Sequence, residues 1–169
     1  NDFATIASDP NNRNTPYSND IKTIYADSQG LLWLGYVNGF SSFNPTTEQF
    51  HHFVSGTREV PATGIISSFT ETTDGALWAA TQNSGLIKID PETGSVEAYT
   101  HSQTNPNSIV EGQLLEVLAD SNGHIWAVSE QNGVSRFNPE TKTALNFNHS
   151  ESNQSLSSNM ARDVFQDSS

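Results

Sequence analysis

An all-β fold is what this sequence predicts, on three observations. Asn, Ser and Thr, rather than charged residues, dominate the polar part of its 169 residues; Asn and Ser suit turns and Thr suits strands. One phrase recurs three times with the same turn residues around the same tryptophan: "DSQGLLWLGYVNG" (27–39), "TTDGALWAATQNSG" (72–85) and "DSNGHIWAVSEQNG" (120–133). The anchoring glycines Gly30, Gly75 and Gly123 lie 45 and 48 residues apart, a spacing that suits four short strands per unit.

Each unit divides in the same order. Ile21 and Ile24, Ile66 and Phe69, and Leu114 and Val117 supply the apolar positions of a first strand. The "DSQG"-type turn leads into a second strand around Trp33, Trp78 or Trp126. Gly39, Gly85 and Gly133 follow, and "NG" or "SG" supplies the positive φ of a tight hairpin into the third strand. "NPTT" (44–47), "DPET" (90–93) and "NPET" (138–141) make the next turn, where proline fixes φ and the preceding Asn or Asp forms an Asx-turn. The fourth strand closes on Phe50 and Phe53, Val96 and Tyr99, or Ala144 and Phe147. Segments such as "LLWL" are apolar on both faces, as expected of sheets stacked between neighbours, so the tryptophans are expected to wedge between sheets.

Four antiparallel strands at this period make a propeller blade. Phe3 and Ile6 match the closing pair Phe50 and Phe53, and "LSSNMARDVFQDSS" (156–169) matches "YSNDIKTIYADSQ" (17–29). The chain is therefore expected to be a β-propeller fragment: three complete blades plus a single flanking strand at each end. The divisions are 1–16 (a last strand and linker), 17–63, 64–111 and 112–156 (the blades) and 157–169 (a first strand). Three blades cannot close the usual ring of four to eight, so a longer parent protein is expected. Open blade faces, each near the roughly 300–600 Å² of a typical largest monomer patch, predict self-association.

Seven Lys and Arg against nineteen Asp and Glu give a net charge of −12. That charge argues against nucleic acid and anionic membrane as partners. Without cysteine there is no disulfide framework or thiolate chemistry. No apolar run approaches the ~18 residues of a membrane span, so the segment is not expected to be membrane-embedded.

The order N-x-apolar-x-x-apolar-x-x-D-x-x-G-x-L-W-x-G-x-x-x-G-apolar-x-x-F-[ND]-P-x-T runs through 19–47, 64–93, 112–141 and the broken-off 159–169. It resembles the two-component regulator propeller repeat, and "PNSI" (106–109) and "NQSLSSN" (153–159) resemble that family's interblade linker. The resemblance implies a periplasmic sensor region in a protein anchored in the inner membrane, with a histidine kinase or diguanylate cyclase as output. Some members of the family sense breakdown products of polysaccharides. The sequence departs from the pattern at Tyr36, where Thr is common, at Ala80 and Val128, which replace a glycine, and at Thr72, which replaces the turn Asp.

No catalytic constellation is readable, and neither a cofactor nor a metal is expected. The five histidines (His51, His52, His101, His124 and His149) are scattered, and His51 and His52 point to opposite sides of a strand. "DSNG" lacks the alternating acidic ligands of a calcium loop. No nucleophile elbow is present, and nothing singles out a general acid/base pair among Glu59, Glu71, Glu111 and Glu116. Recognition is expected instead on the face where the interblade loops meet the second-to-third-strand hairpins, because those segments vary while the opposite turns barely do. Tyr36, Asn38, Gln82, Asn83, Glu130, Gln131, Arg58, Glu111 and Gln113 are the candidate ligand-binding residues there. The ligand expected is a small molecule or an oligosaccharide. The leading reading is a non-catalytic, extracytoplasmic ligand sensor relaying to a cytoplasmic output. The alternatives are a protein-interaction scaffold or a propeller glycan lyase or hydrolase.

Overall fold

The computed structural model describes residues 5–56, 60, 62–152 and 154–167. They form twelve strands in three four-stranded antiparallel sheets, each in chain order. The first blade holds β1 (Thr23–Ala26), β2 (Leu32–Tyr36), β3 (Gly39–Asn44) and β4 (Gln49–Val54). The second holds β5 (Ile66–Glu71), β6 (Leu77–Thr81), β7 (Leu86–Ile89) and β8 (Val96–Tyr99). The third holds β9 (Leu114–Ala119), β10 (Ile125–Ser129), β11 (Val134–Asn138) and β12 (Thr143–Phe147). This is the blade architecture of a propeller fragment.

The turns have the predicted chemistry. Asn44, Asp90 and Asn138 each accept the backbone N–H groups two and three residues on, at 2.9–3.2 Å. The hairpins between second and third strands take positive φ at Asn38 (65°), Gly85 (66°) and Gly133 (79°). In the first blade Asp27 Oδ1 accepts from the backbone N–H of Gln29 and Leu31 while Oδ2 accepts from Trp33 Nε1 at 2.8 Å. Asp120 does the same for Asn122, His124 and Trp126, again with 2.8 Å to the indole. One carboxylate thus fixes both the turn and the rotamer of the tryptophan that follows it.

The core lies between blades, as two clusters. Trp33 and Phe40 of the first blade pack on Ile66, Phe69, Leu77 and Ile87 of the second. Trp78 and Leu86 of the second pack on Leu114, Val117, Ile125 and Phe137 of the third. Trp33 and Trp78 are the expected wedges, fully buried. Trp126 is half-buried, stacked on Phe147 with ring centroids 5.6 Å apart.

Side chains also link neighbouring first strands. Ser67 Oγ donates to Leu114 O at 2.7 Å, Ala119 N donates to Thr70 Oγ1 at 3.0 Å, and Ser68 Oγ donates to Glu116.

Of the expected flanking strands, Phe3 of the first lies outside the described residues, and the described residues of 157–167 form no strand. Isolated bridges join Asp9 to Asn12 and His149 to Leu156. Gln166 nevertheless binds the third blade's turn, accepting from Ser121 N and donating to Ser121 Oγ, both at 3.0 Å. Glu71, at the same repeat position, accepts from the N–H and hydroxyl of Ser28 at 2.7 Å. The segment 160–167 therefore docks like a first strand, but it lacks the ladder partner that would make it one.

Candidate ligand-binding face

Hairpins and interblade loops converge on one face around two glycines. Gly64 and Gly112 each precede a first strand and have positive φ (68° and 97°). A Cβ at Gly64 would lie 2.8 Å from Asn83 Nδ2, and one at Gly112 would lie 3.0 Å from Asn132 Nδ2. Only glycine lets the hairpin side chains come that close.

Around Gly64, Asn38 N donates to Gly64 O at 2.8 Å, Gln82 N to Ile65 O at 2.9 Å and Asn83 N to Thr63 O at 2.9 Å. This brings Asn38, Gln82 and Asn83 together across the junction of the first two blades. Around Gly112, Glu130 N donates to Gln113 O at 3.0 Å. Glu111 O accepts from Ser129 Oγ at 2.9 Å and Asn132 Nδ2 at 3.0 Å. Gln113, Glu130 and Gln131 line a cavity of about 230 Å³ there, with the backbone of Glu111 at its edge. Exposed amide and carboxylate groups in this arrangement offer both donors and acceptors to a hydroxylated ligand.

Arg58 lies outside the described residues. Tyr36 ends β2 but is only 1% exposed. The same repeat position holds Thr81 and Ser129, whose hydroxyls bond loop carbonyls at 2.8 and 2.9 Å. Tyr36 instead packs its ring 5.8 Å from that of Tyr17, and burial pushes its hydroxyl above the usual tyrosine range. Its size carries it past the loop and into the interior.

A larger cleft, of about 910 Å³, lies between residues 8–18 and β4. It mixes apolar rings (Tyr17 and Phe50) with Asp9, Asn12, Arg13 and His52. The linker is tied to the strand by Asn14, whose Nδ2 donates to Glu48 O at 2.8 Å and whose Oδ1 accepts from Phe50 N at 2.9 Å. His52 Nε2 faces Arg13 O at 2.9 Å and Nδ1 faces Ser41 Oγ at 2.7 Å. A carbonyl only accepts, so Nε2 carries the proton and Nδ1 accepts from the serine. In the third blade Asn146 makes the same relay, from Ser135 Oγ at 2.7 Å to Ser108 O at 2.9 Å. His52 is therefore an asparagine equivalent that ties the linker down. Sequence reasoning took Phe50 as half of a closing apolar pair, set His52 aside as a metal ligand and gave Tyr17 no role. The linker "DPNNRNTPY" (9–17) has counterparts in 102–110 and 150–157: Thr15, Ser108 and Ser155 each donate a hydroxyl to the carbonyl three residues back at 2.8–2.9 Å.

Among the described residues, no three His, Cys, Asp or Glu side chains group closely enough to hold a metal ion. No helix is long and apolar enough to cross a membrane.

Comparison with known proteins agrees with this geometry. The family model described as "Two component regulator propeller" matches residues 18–38, the first strand, turn and tryptophan strand of the first blade. No curated protein matches the chain. Among solved structures, the extracellular domain of the one component system BT4673 from B. thetaiotaomicron superposes with a TM-score of 0.67 at 22% identity, over 90% of this chain and 20% of its own. The extracellular domain of the hybrid two component system BT3049 from the same organism gives 0.55 at 21% identity, over 98% of this chain and 26% of its own. Virginiamycin B lyase from Staphylococcus aureus, in a structure with quinupristin, gives 0.60 at 17% identity, over 78% of this chain and 42% of its own. The chain thus spans less than half of each of these structures, and at such identities the likeness establishes the fold. The family model thus matches one copy of the repeat, in the first blade, and the predicted turns and blade topology recur in all three.

Proposed function

We propose that this chain is an extracytoplasmic, non-catalytic ligand-sensing segment of a membrane-anchored signalling protein. Its loop face takes a small hydroxylated ligand of the oligosaccharide kind. The observation that carries this reading is the convergence of Gln113, Glu130 and Gln131 on one cavity beside Gly112, on the face where Asn38, Gln82 and Asn83 also meet. The family match and the extracellular two-component neighbours support the setting: a periplasmic location, an anchor in the inner membrane and a cytoplasmic output domain. Binding would act by population shift, favouring one arrangement of propeller and following module over another.

The test is calorimetric titration of the full chain with panels of neutral and acidic oligosaccharides. We expect one class to saturate, and Gln113→Ala with Glu130→Ala to weaken it about tenfold or more. Absence of saturable binding across the panel, or unchanged affinity in the double variant, refutes the reading.

The same proposal includes self-association through the outward face of the first blade. Ile21 and Ile24 are 37% and 61% exposed there, whereas their counterparts Ile66, Phe69, Leu114 and Val117 are all buried.

A further inference from the structure

On the turn face, opposite the candidate ligand-binding loops, a cavity of about 540 Å³ lies between the second and third blades. It is formed where the second blade breaks its own repeat. The first and third blades cap their tryptophan with Asp27 and Asp120, each accepting the indole N–H at 2.8 Å. In the second blade that position is Thr72. Its hydroxyl is within bonding distance of Asp74 Oδ1 (2.5 Å) and Ala76 O (3.0 Å) and does not bond the indole. Trp78 is 1% exposed, and its Nε1 has no hydrogen-bond partner. A buried N–H without an acceptor is a specific demand for one.

Thr72 and Trp78 both line the cavity, and the sister blades hold a carboxylate at the position of Thr72. Lys88, directly across the strand pair from Trp78, lines it as well, its Nζ 5.8 Å from the indole centroid. The tryptophan and the lysine therefore border one space. Asp74 of the second blade and Glu140 of the third line it too. Asp74 is engaged by Thr72 and by Ala76 N at 3.3 Å, and both carboxylates suit ligand hydroxyls rather than a second negative charge.

We propose that this cavity is a binding site for a small organic carboxylate, most suitably a hydroxy acid. One carboxylate oxygen takes the place of the missing aspartate oxygen and accepts from Trp78 Nε1–H, while the other faces Lys88. Hydroxyls on the ligand point outward to Asp74 and Glu140. The site is independent of the loop face, and its test does not depend on the sensing reading.

The experiment uses the full chain labelled with ¹⁵N and follows the three indole N–H signals during titration with sodium acetate, with sodium chloride at matched ionic strength as control. We expect the Trp78 signal alone to move saturably with acetate, with Trp33 and Trp126 as internal standards. Lys88→Met weakens the response about fivefold. Thr72→Asp combined with Asp74→Asn rebuilds the third blade's turn and abolishes the response, because the built-in carboxylate occupies the site. The unmoved Trp33 and Trp126 signals report that each variant is folded. A non-saturating wild-type response, an equal response to chloride, or a response surviving in the double variant overturns the proposal.

Discussion

Replacing Thr72 by Asp, with Asp74 by Asn, gives the second blade the turn that the third already has, and we expect the protein to become more stable. The gain comes from Trp78 Nε1, a buried donor with no partner; leaving such a group unpaired costs about 1–3 kcal/mol. In the third blade the equivalent carboxylate accepts from the indole at 2.8 Å and from two backbone N–H groups at 2.9 Å. Against this stand the burial of a carboxylate and the loss of the Thr72 hydroxyl's bonds, together about 1 kcal/mol. Burial pushes the Asp120 carboxyl up, yet the Trp126, His124 and Asn122 donors outweigh it and hold the group below the usual carboxylate range. The same balance should apply at position 72, leaving a net gain of up to about 2 kcal/mol. For a chain of this size that raises Tm by up to roughly 8 °C. Thr72→Asp alone should gain less, because Asp74 then lies two residues away on the same turn. Differential scanning calorimetry in carboxylate-free buffer is the assay, with Asp120→Thr as the reciprocal loss. A double variant melting at or below the parent, together with an Asp120→Thr variant melting like the parent, refutes the reasoning.

Acid should destabilise the protein through its turn carboxylates. Asp74 is held below its usual range chiefly by Thr72, and Asp120 by the donors already named. Lowered folded-state values mean the stability is fully present above the unfolded value of about 4 and is lost as pH falls below it. Asp120→Asn should therefore cost stability at pH 7 and progressively less below pH ~4; a constant difference in Tm across that range refutes the assignment. Ile24→Glu should shift sedimentation toward monomer at high concentration if the first blade's face pairs with a second copy, and a parent that is already monomeric there sinks that proposal. Gly94→Ala should destabilise by about 1–3 kcal/mol, because a Cβ would lie 1.9 Å from Phe53 Cδ1. Adding Phe53→Leu should recover part of the loss by thermal denaturation, and full tolerance of the single change would show that the ring moves freely.

The turns, the strand order and the tryptophan wedges were legible in the sequence because each is decided within one unit. An Asx-turn at Asn138, a positive φ at Gly133 and a burial pattern around Trp78 need no knowledge of neighbours. The loop-face residues were legible in part. Gln113, Glu130 and Gln131 do meet, since hairpin and loop of one blade close on a single glycine. Tyr36 was misread because the other units hold Thr81 and Ser129 at its position, so the repeat does not show that Tyr17 would receive its ring. The C-terminal flanking strand is unformed for a related reason: residues 160–167 follow the first-strand pattern, but a strand is a property of a pair.

Comparing the units with one another therefore separates two kinds of information. Residues the three units share report what a blade needs for itself; residues that differ report what its neighbour supplies. The turn between third and fourth strands shows this directly. Glu48, Gly94 and Lys142 occupy one repeat position with φ of 56°, 69° and 55°, so the backbone accepts a side chain there. Glycine is present in the second blade because Phe53 of the first blade fills the space. In the third blade the matching neighbour is Tyr99, and Lys142 lies over its ring at 5.8 Å while bonding Glu97. The difference at this position is thus explained by the contact across the interface. Thr72 is the exception that this logic isolates. Its substitution removes an acceptor from Trp78, and no residue of the third blade supplies another. A position where the repeat changes and the neighbour does not compensate is where an external ligand has something to do.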